Sequence, residues 1–249
     1  MNEVAIRDAA TLILLRNDEG AGVPKVLMGQ RGARAAFMPE KFVFPGGAVD
    51  AADRAVPLAA PLPEPCRTRL ARETAPDLPD ALVAGAIREL WEETGLLLGA
   101  PGAWPAPPPE GWESYAATGY RPSGAPLSFI FRAITPPGRP RRFDARFFLA
   151  DAASLASDPD DFTRACDELS HLQWIPLDEV RRFNLPFITE VVLAEVAAML
   201  RAGRRVPESV PFFRNRDEES LFLRLGGESP LAAAPLGENR PAGKLSGEG

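Results

Sequence analysis

Cysteine and histidine are almost absent from this sequence. Its two cysteines, Cys66 and Cys166, cannot build a disulfide framework, which fits a reducing compartment, and a cytoplasmic location is expected. The single histidine, His171, stands in Leu-Ser-His-Leu, where a structural place is expected of it. No apolar run reaches the roughly 18 residues needed to cross a bilayer, so no membrane partner is expected. The first ten residues mix charges and lack the apolar stretch of a secretory signal. Positive charge is in deficit too. The 28 Lys and Arg against 34 Asp and Glu leave a net −6, which gives no polycationic footprint for a nucleic acid polymer.

What remains is an ordinary globular composition, 249 residues with 45% hydrophobic and 25% charged side chains. The exception is proline, at 27 residues about twice its average usage. The prolines gather at 57–65, 76–79, 101–109 and 136–140, and these stretches read as loops. Ala9–Arg16 and Lys25–Gln30 read as two strands around a turn, and Phe42-Val43-Phe44 as a third strand stopped by Pro45-Gly46-Gly47. Cys66 to Thr74 offers a helical turn or two. From Asp80 the apolar period becomes helical, with Asp80 as N-cap and Gly95 as C-cap. Ser128–Ile134 and Arg146–Ala150 read as a strand pair, Leu172–Ile175 as another strand, Asp178 as a helix start and Thr189–Arg201 as the longest helical pattern. The sum is a mixed α/β domain.

The helix at 80–95 carries Arg88-Glu89-Leu90-Trp91-Glu92-Glu93-Thr94-Gly95. With Glu89 at 0°, Glu92 falls at about −60° and Glu93 at about +40°, so three carboxylates share an arc of about 100°. Like charges at these spacings repel by some tenths of a kcal/mol. A divalent cation reverses the sign, and hard oxygen ligands suit Mg²⁺ or Mn²⁺ better than zinc. A solvated acidic face with an ordinary Arg88–Glu92 pair is the plainer alternative. What favours the cation is the Gly46-Gly47 turn upstream, because adjacent glycines let backbone come close to another element or to a phosphate.

Together these residues resemble the Nudix hydrolase motif, G-x5-E-x7-R-E-U-x-E-E-x-G-U with U apolar. Arg88 to Leu96 matches its second half without a gap. The first half is displaced: Gly47 stands 41 positions before Arg88 where the pattern has 14, an excess of 27. An insertion at about 51–79 follows, inside a domain over 1–225 with a flexible tail at 226–249. The middle acid of the motif is open between Asp80, Asp50 and Asp53. Phe42 to Asp50, Arg141 to Phe148 and Trp174 to Glu179 look like the branch with an interrupted motif that includes a peroxisomal coenzyme A diphosphatase.

The resemblance implies an α/β/α sandwich around a mixed sheet and hydrolysis of a nucleoside diphosphate linked to another moiety, by a metal-activated water attacking phosphorus. Coenzyme A or an acyl-CoA, giving 3′,5′-ADP and a 4′-phosphopantetheine species, is the leading substrate. Glu89, Glu92 and Glu93 would hold Mg²⁺ or Mn²⁺, Arg88 would orient them, and Gly46 and Gly47 would shape the turn that seats the helix. The general base is open between Glu89, Glu93 and a distal pair, Asp167 and Glu168. Arg31 and Arg34 are candidates for the substrate's phosphates, and Phe37 and Met38 for its mouth. The partner expected is a small nucleoside diphosphate derivative, with the oligomeric state open, a homodimer included. A non-catalytic module of the same fold that binds nucleotide or protein is the alternative, although such modules usually lose motif acids and none is lost here.

Overall fold

Branched apolar residues alternate along β1 (Ile6–Arg16), and the alternation sends its side chains to two opposite cores. In the computed structural model, which describes residues 4–17, 22–33, 37–204, 206–216 and 219–226, Leu12 and Leu14 join one buried cluster while Ile13 and Leu15 join another. β1 is therefore a central strand, covered on both faces from Leu12 to Leu15. It pairs in parallel with β8 (Arg142–Asp151) and antiparallel with β2 (Lys25–Arg31) and β4 (Gly46–Ala48).

The remaining main strands are β3 (Phe42–Val43), β7 (Ser128–Ile134), β9 (Leu169–Pro176), β10 (Val210–Arg216) and β11 (Glu219–Leu225). Among the described residues they complete a nine-stranded mixed sheet in the order β11-β10-β7-β8-β1-β2-β3, with β4 on β1 and β9 on β2. A small hairpin of β5 (Gly99–Pro101) and β6 (Tyr120–Pro122) stands apart. One face is covered by α1 (Cys66–Leu70) and α2 (Leu78–Thr94), and the other by α4 (Phe187–Arg201); α3 (Glu113–Ala116) is a single turn. This is the expected α/β/α sandwich around a mixed sheet.

Several boundaries differ from the sequence reading. The catalytic-motif helix begins at Leu78 with Asp77 at the N-cap, so Asp80 lies exposed in the first turn rather than capping it. Asp178 starts no α-helix: a turn and a short 3₁₀ segment at Val180–Arg182 give way to extended Phe183. The chain then approaches Pro186, and the residue before a proline is steered away from helix. The expected tail at 226–249 lies, beyond Gly226, outside the described residues.

The proline-rich stretch is built into the domain. Val56, Leu62, Cys66, Leu70 and Leu78 are all buried in the α2-side core. Its polar backbone is satisfied by arginines from elsewhere. Arg121 donates to the carbonyls of Pro57 and Leu58, and Arg132 to those of Arg72 and Glu73. Arg69 in turn donates to Pro207 and Glu208. Deleting residues 57–76 removes three core side chains, at roughly 2–5 kcal/mol for each large one, and takes carbonyl partners from Arg121 and Arg132. The expected result is loss of a cooperative melt, checked by circular dichroism; a melt like that of the intact chain would overturn it.

Candidate active site

The acidic arc of α2 does not face water as a surface stripe. Glu93 is 1% exposed and Arg88 6%, whereas the Glu92 side chain is 42% exposed. Against them lies the Gly46–Gly47 turn, held on β1 through Ala10 and Thr11. The amide of Gly46 donates to Glu93 Oε2 at 2.8 Å. A Cβ on Gly46 would stand 2.6 Å from the carbonyl oxygen of Ala10, and one on Gly47 would stand 2.5 Å from the Glu89 carboxyl group. Both positions thus require glycine because backbone meets backbone at one and a carboxylate at the other. Gly47→Ala must push the Glu89 carboxyl aside. A fall in turnover of about a hundredfold is expected, in line with an ångström-scale misplacement of a reacting group, with secondary structure retained; unchanged steady-state rates would refute it.

Arg88 organises the cluster. Its Nε and one terminal nitrogen form a fork on Asp53 at 3.0 and 3.1 Å. The other terminal nitrogen donates to Glu89 and to Glu92, both at 3.0 Å, and the fork is completed by the carbonyl of Ala48 at 3.0 Å. Asp53 also accepts from Trp112 Nε1 at 3.1 Å and from the Asp50 amide at 2.9 Å, so its fully buried carboxylate has four donors. Of the three acids left open by the sequence, Asp53 is the one that meets Arg88 as a fork. Asp50 is exposed, 3.5 Å from Arg88, and Asp80 is solvated. A signal for this was present: Asp53 lies six positions after Gly47, the G-x5-acid spacing, with the excess residues falling after the acid. Trp112 had no such signal.

Electrostatically the site is short of positive charge. Burial pushes the Glu89 carboxyl up from its ordinary 4.5 to about 7, against the pull of Arg88 and with the push of Glu92. Burial raises Glu93 well above the usual carboxylate range, and the neighbouring Glu89 charge adds to this while the Gly46 amide draws it back. Glu92 is raised as well, first by burial. One oxygen of Glu93, Oε1, is buried without a hydrogen-bond partner. Buried carboxylates held together at this cost fit a hard divalent cation, which takes oxygen ligands. Among the described residues no three acidic, thiol or imidazole side chains already converge as a finished cation cage, and Glu92 is turned onto Arg88.

A raised carboxylate pKa means the folded state holds its proton more tightly than the unfolded chain. Glu89 therefore contributes stability that is complete below its ordinary 4.5 and is lost as pH rises through about 7. In chelator, the protein is expected to lose about 1.4 kcal/mol between pH 6 and 8 from this group, a drop of roughly 3–6 °C in Tm. Glu89→Gln should flatten that part of the slope; an identical slope in both proteins would rule it out.

The other candidates separate. Arg31 and Glu168 are brought to this site: their side chains form an ion pair at 3.0 Å, and the Glu168 charge raises both Glu89 and Glu93. Asp167 is exposed and stands apart from the cluster's hydrogen bonds. Arg34 lies outside the described residues. Phe37 packs edge-on against Phe143 of β8. Trp91 is buried, with its Nε1 donating to Ser114 Oγ and Arg164 over its ring. His171 is exposed, bonded to Ser170 Oγ, in a left-handed backbone conformation. It lies where the β2–β9 register shifts between Met28 and Gln30. Cys166 is exposed with its thiol pushed up, first by burial.

No family model matches the chain. It is 37% identical to the acyl-coenzyme A diphosphatase NUDT19 of Gallus gallus over 40% of this chain and 34% of that protein. It is 29% identical to the putative nudix hydrolase 7 of Caenorhabditis elegans over 68% of this chain and 51% of that one. The chain thus spans about a third and about half of the length of these curated relatives. Among solved structures, a Nudix hydrolase from Alicyclobacillus acidocaldarius superposes with a TM-score of 0.59 at 28% identity, covering 78% of this chain and 92% of that one. With the unbroken run from Arg88 to Leu96 on a largely buried acidic helix face, the likeness in sequence and the likeness in fold point the same way, to the Nudix hydrolases.

Proposed function

We propose that this chain hydrolyses the pyrophosphate bond of a nucleoside diphosphate joined to another moiety, with Mg²⁺ or Mn²⁺, and that coenzyme A or an acyl-CoA is the substrate. The observation that carries this is the pair Glu89, partly buried, and Glu93, fully buried, under the Gly46–Gly47 turn with Glu93 Oε1 unpartnered. Such a pair costs folding energy and is worth keeping only where positive charge arrives with the ligand.

Glu89 and Glu93, with Glu92 after it leaves Arg88, would hold the cation. Bound there, a divalent cation neutralises the phosphates and lowers the pKa of water toward neutrality. Arg88 fixes the glutamates by donating to two of them while anchored on Asp53. Gly46 orients Glu93 through its amide and Gly47 leaves room for Glu89. Glu168, whose charge acts on both Glu89 and Glu93, would be the distal acid that accepts a proton from the attacking water. The CoA assignment is supported by the partial likeness to the diphosphatase of Gallus gallus and by the segments around the Gly-Gly turn.

The test is product analysis of the purified chain with Mg²⁺ or Mn²⁺ against CoA, acetyl-CoA, NADH, ADP-ribose, diadenosine polyphosphates and dNTPs. Release of 3′,5′-ADP from CoA supports reaction and substrate together. Cleavage of a different member keeps the reaction and discards CoA, and no cation-dependent cleavage of any member overturns the proposal.

A further inference from the structure

Arg31 closes β2 and Glu168 immediately precedes β9, and the antiparallel pairing sets Arg31 opposite Leu169. Their ion pair is thus built by the sheet: Arg31 donates a terminal nitrogen to Glu168 Oε1 at 3.0 Å. The two partners are unequal. The Arg31 side chain is 20% exposed and Glu168 is 52% exposed. The Arg31 Nε is buried with no hydrogen-bond partner, so the guanidinium has one donor spent on Glu168 and another unused. Both groups also act on the acidic site: Glu168 raises Glu89 and Glu93, and Arg31 draws Glu93 down. Arg88, in contrast, is fully engaged by Asp53, Glu89, Glu92 and Ala48.

We propose that the Arg31–Glu168 pair is a latch opened by the substrate: a phosphate oxygen takes the Arg31 guanidinium, and Glu168 is released from it. This rests on the pyrophosphohydrolase reading above and adds an order of events to it. The exchange runs this way for three reasons. An exposed carboxylate gains little from its guanidinium in water. A diphosphate carries more charge and matches the planar fork, including the unused Nε. A guanidinium with a buried orphan donor gains a hydrogen bond that Glu168 does not supply. In the free protein Glu168 is tied to Arg31; with phosphate present it is free beside Glu89 and Glu93. No bond is made or broken in the exchange, and Arg31 acts as a positioning residue that makes the freedom of Glu168 depend on an occupied site.

Calorimetric titration with methylenediphosphonate in Mg²⁺, which reports binding without turnover, tests this on the full chain. Glu168→Gln removes the competitor and should bind the diphosphonate about three- to tenfold tighter than the parent chain, while its kcat falls. Arg31→Gln should bind at least tenfold weaker. The double variant should match Arg31→Gln, because the gain requires the guanidinium. Arg31→Lys, which keeps charge but loses the fork, should recover only part of the affinity. A Glu168→Gln affinity at or below the parent's, or a gain that persists without Arg31, overturns the latch. Normal exchange behaviour with no cleavage of any diphosphate overturns the enzymatic reading alone, and absence of diphosphonate binding overturns both. Melting curves confirm that each variant is folded.

Discussion

Glu93→Gln is expected to make the metal-free protein more stable and the enzyme nearly inactive. At pH 7 the buried Glu93 must either ionise beside Glu89 or take up a proton that the unfolded chain releases at an ordinary 4.5. Either way the folded state bears a cost that the unfolded chain does not. Glutamine avoids the cost. Its carbonyl oxygen still accepts from the Gly46 amide, and its amide group meets the Glu89 carboxylate in place of a like charge. A rise in Tm in chelator follows, about 2–4 °C for each kcal/mol recovered. Turnover with Mg²⁺ should fall about a thousandfold, because a cation ligand supplies several kcal/mol of charge stabilisation at 1.4 kcal/mol per tenfold. Opposite signs for stability and activity separate a functional carboxylate from a structural one. A variant that is both less stable and fully active would end the assignment.

Arg88→Met has the opposite character. Asp53 is wholly buried and depends on the Arg88 fork, and Glu89 and Glu92 lose their shared donor. Leaving one partner of a buried ion pair costs about 3–5 kcal/mol, which shows as a lower urea midpoint with an unchanged slope. Adding Asp53→Asn to Arg88→Met should recover a large part of this, since asparagine carries no charge and its one carbonyl oxygen still accepts from either Trp112 or the Asp50 amide. If the two losses simply add, Asp53 and Arg88 are not coupled and the reading of Asp53 as the motif's displaced acid fails.

The sequence alone reached the main strands and the motif helix because their signals are local. The short apolar, branched run of Ala9–Arg16, the apolar period over 83–94 and a glycine at 95 are properties of short windows, and Gly95 ends α2 in the left-handed conformation as expected. The arc of Glu89, Glu92 and Glu93 was likewise a matter of helix geometry. Strands β10 and β11 escaped notice. Pro211, Arg214 and Asn215 break the alternation of β10, and its place in the sheet comes from parallel pairing with β7, some eighty positions earlier.

Helix geometry placed three glutamates on one arc but could not rank them. The tertiary structure buries Glu93, turns Glu92 onto Arg88 and sets Glu89 under Gly47, because only packing decides which part of an arc meets another element. Choosing Asp53 over Asp50 and Asp80 required the fold of the 3₁₀ turn at Ala51–Ala55 against α2. The proline-rich stretch read as loops, yet its carbonyls are satisfied by arginines about sixty positions away. The Arg31–Glu168 pair, 137 positions apart, exists only because β2 and β9 are neighbours. Periodicity and spacing fixed which residue types face together along one element; which charges meet across elements, and how far water is kept from them, was decided by the sheet and the helix it carries.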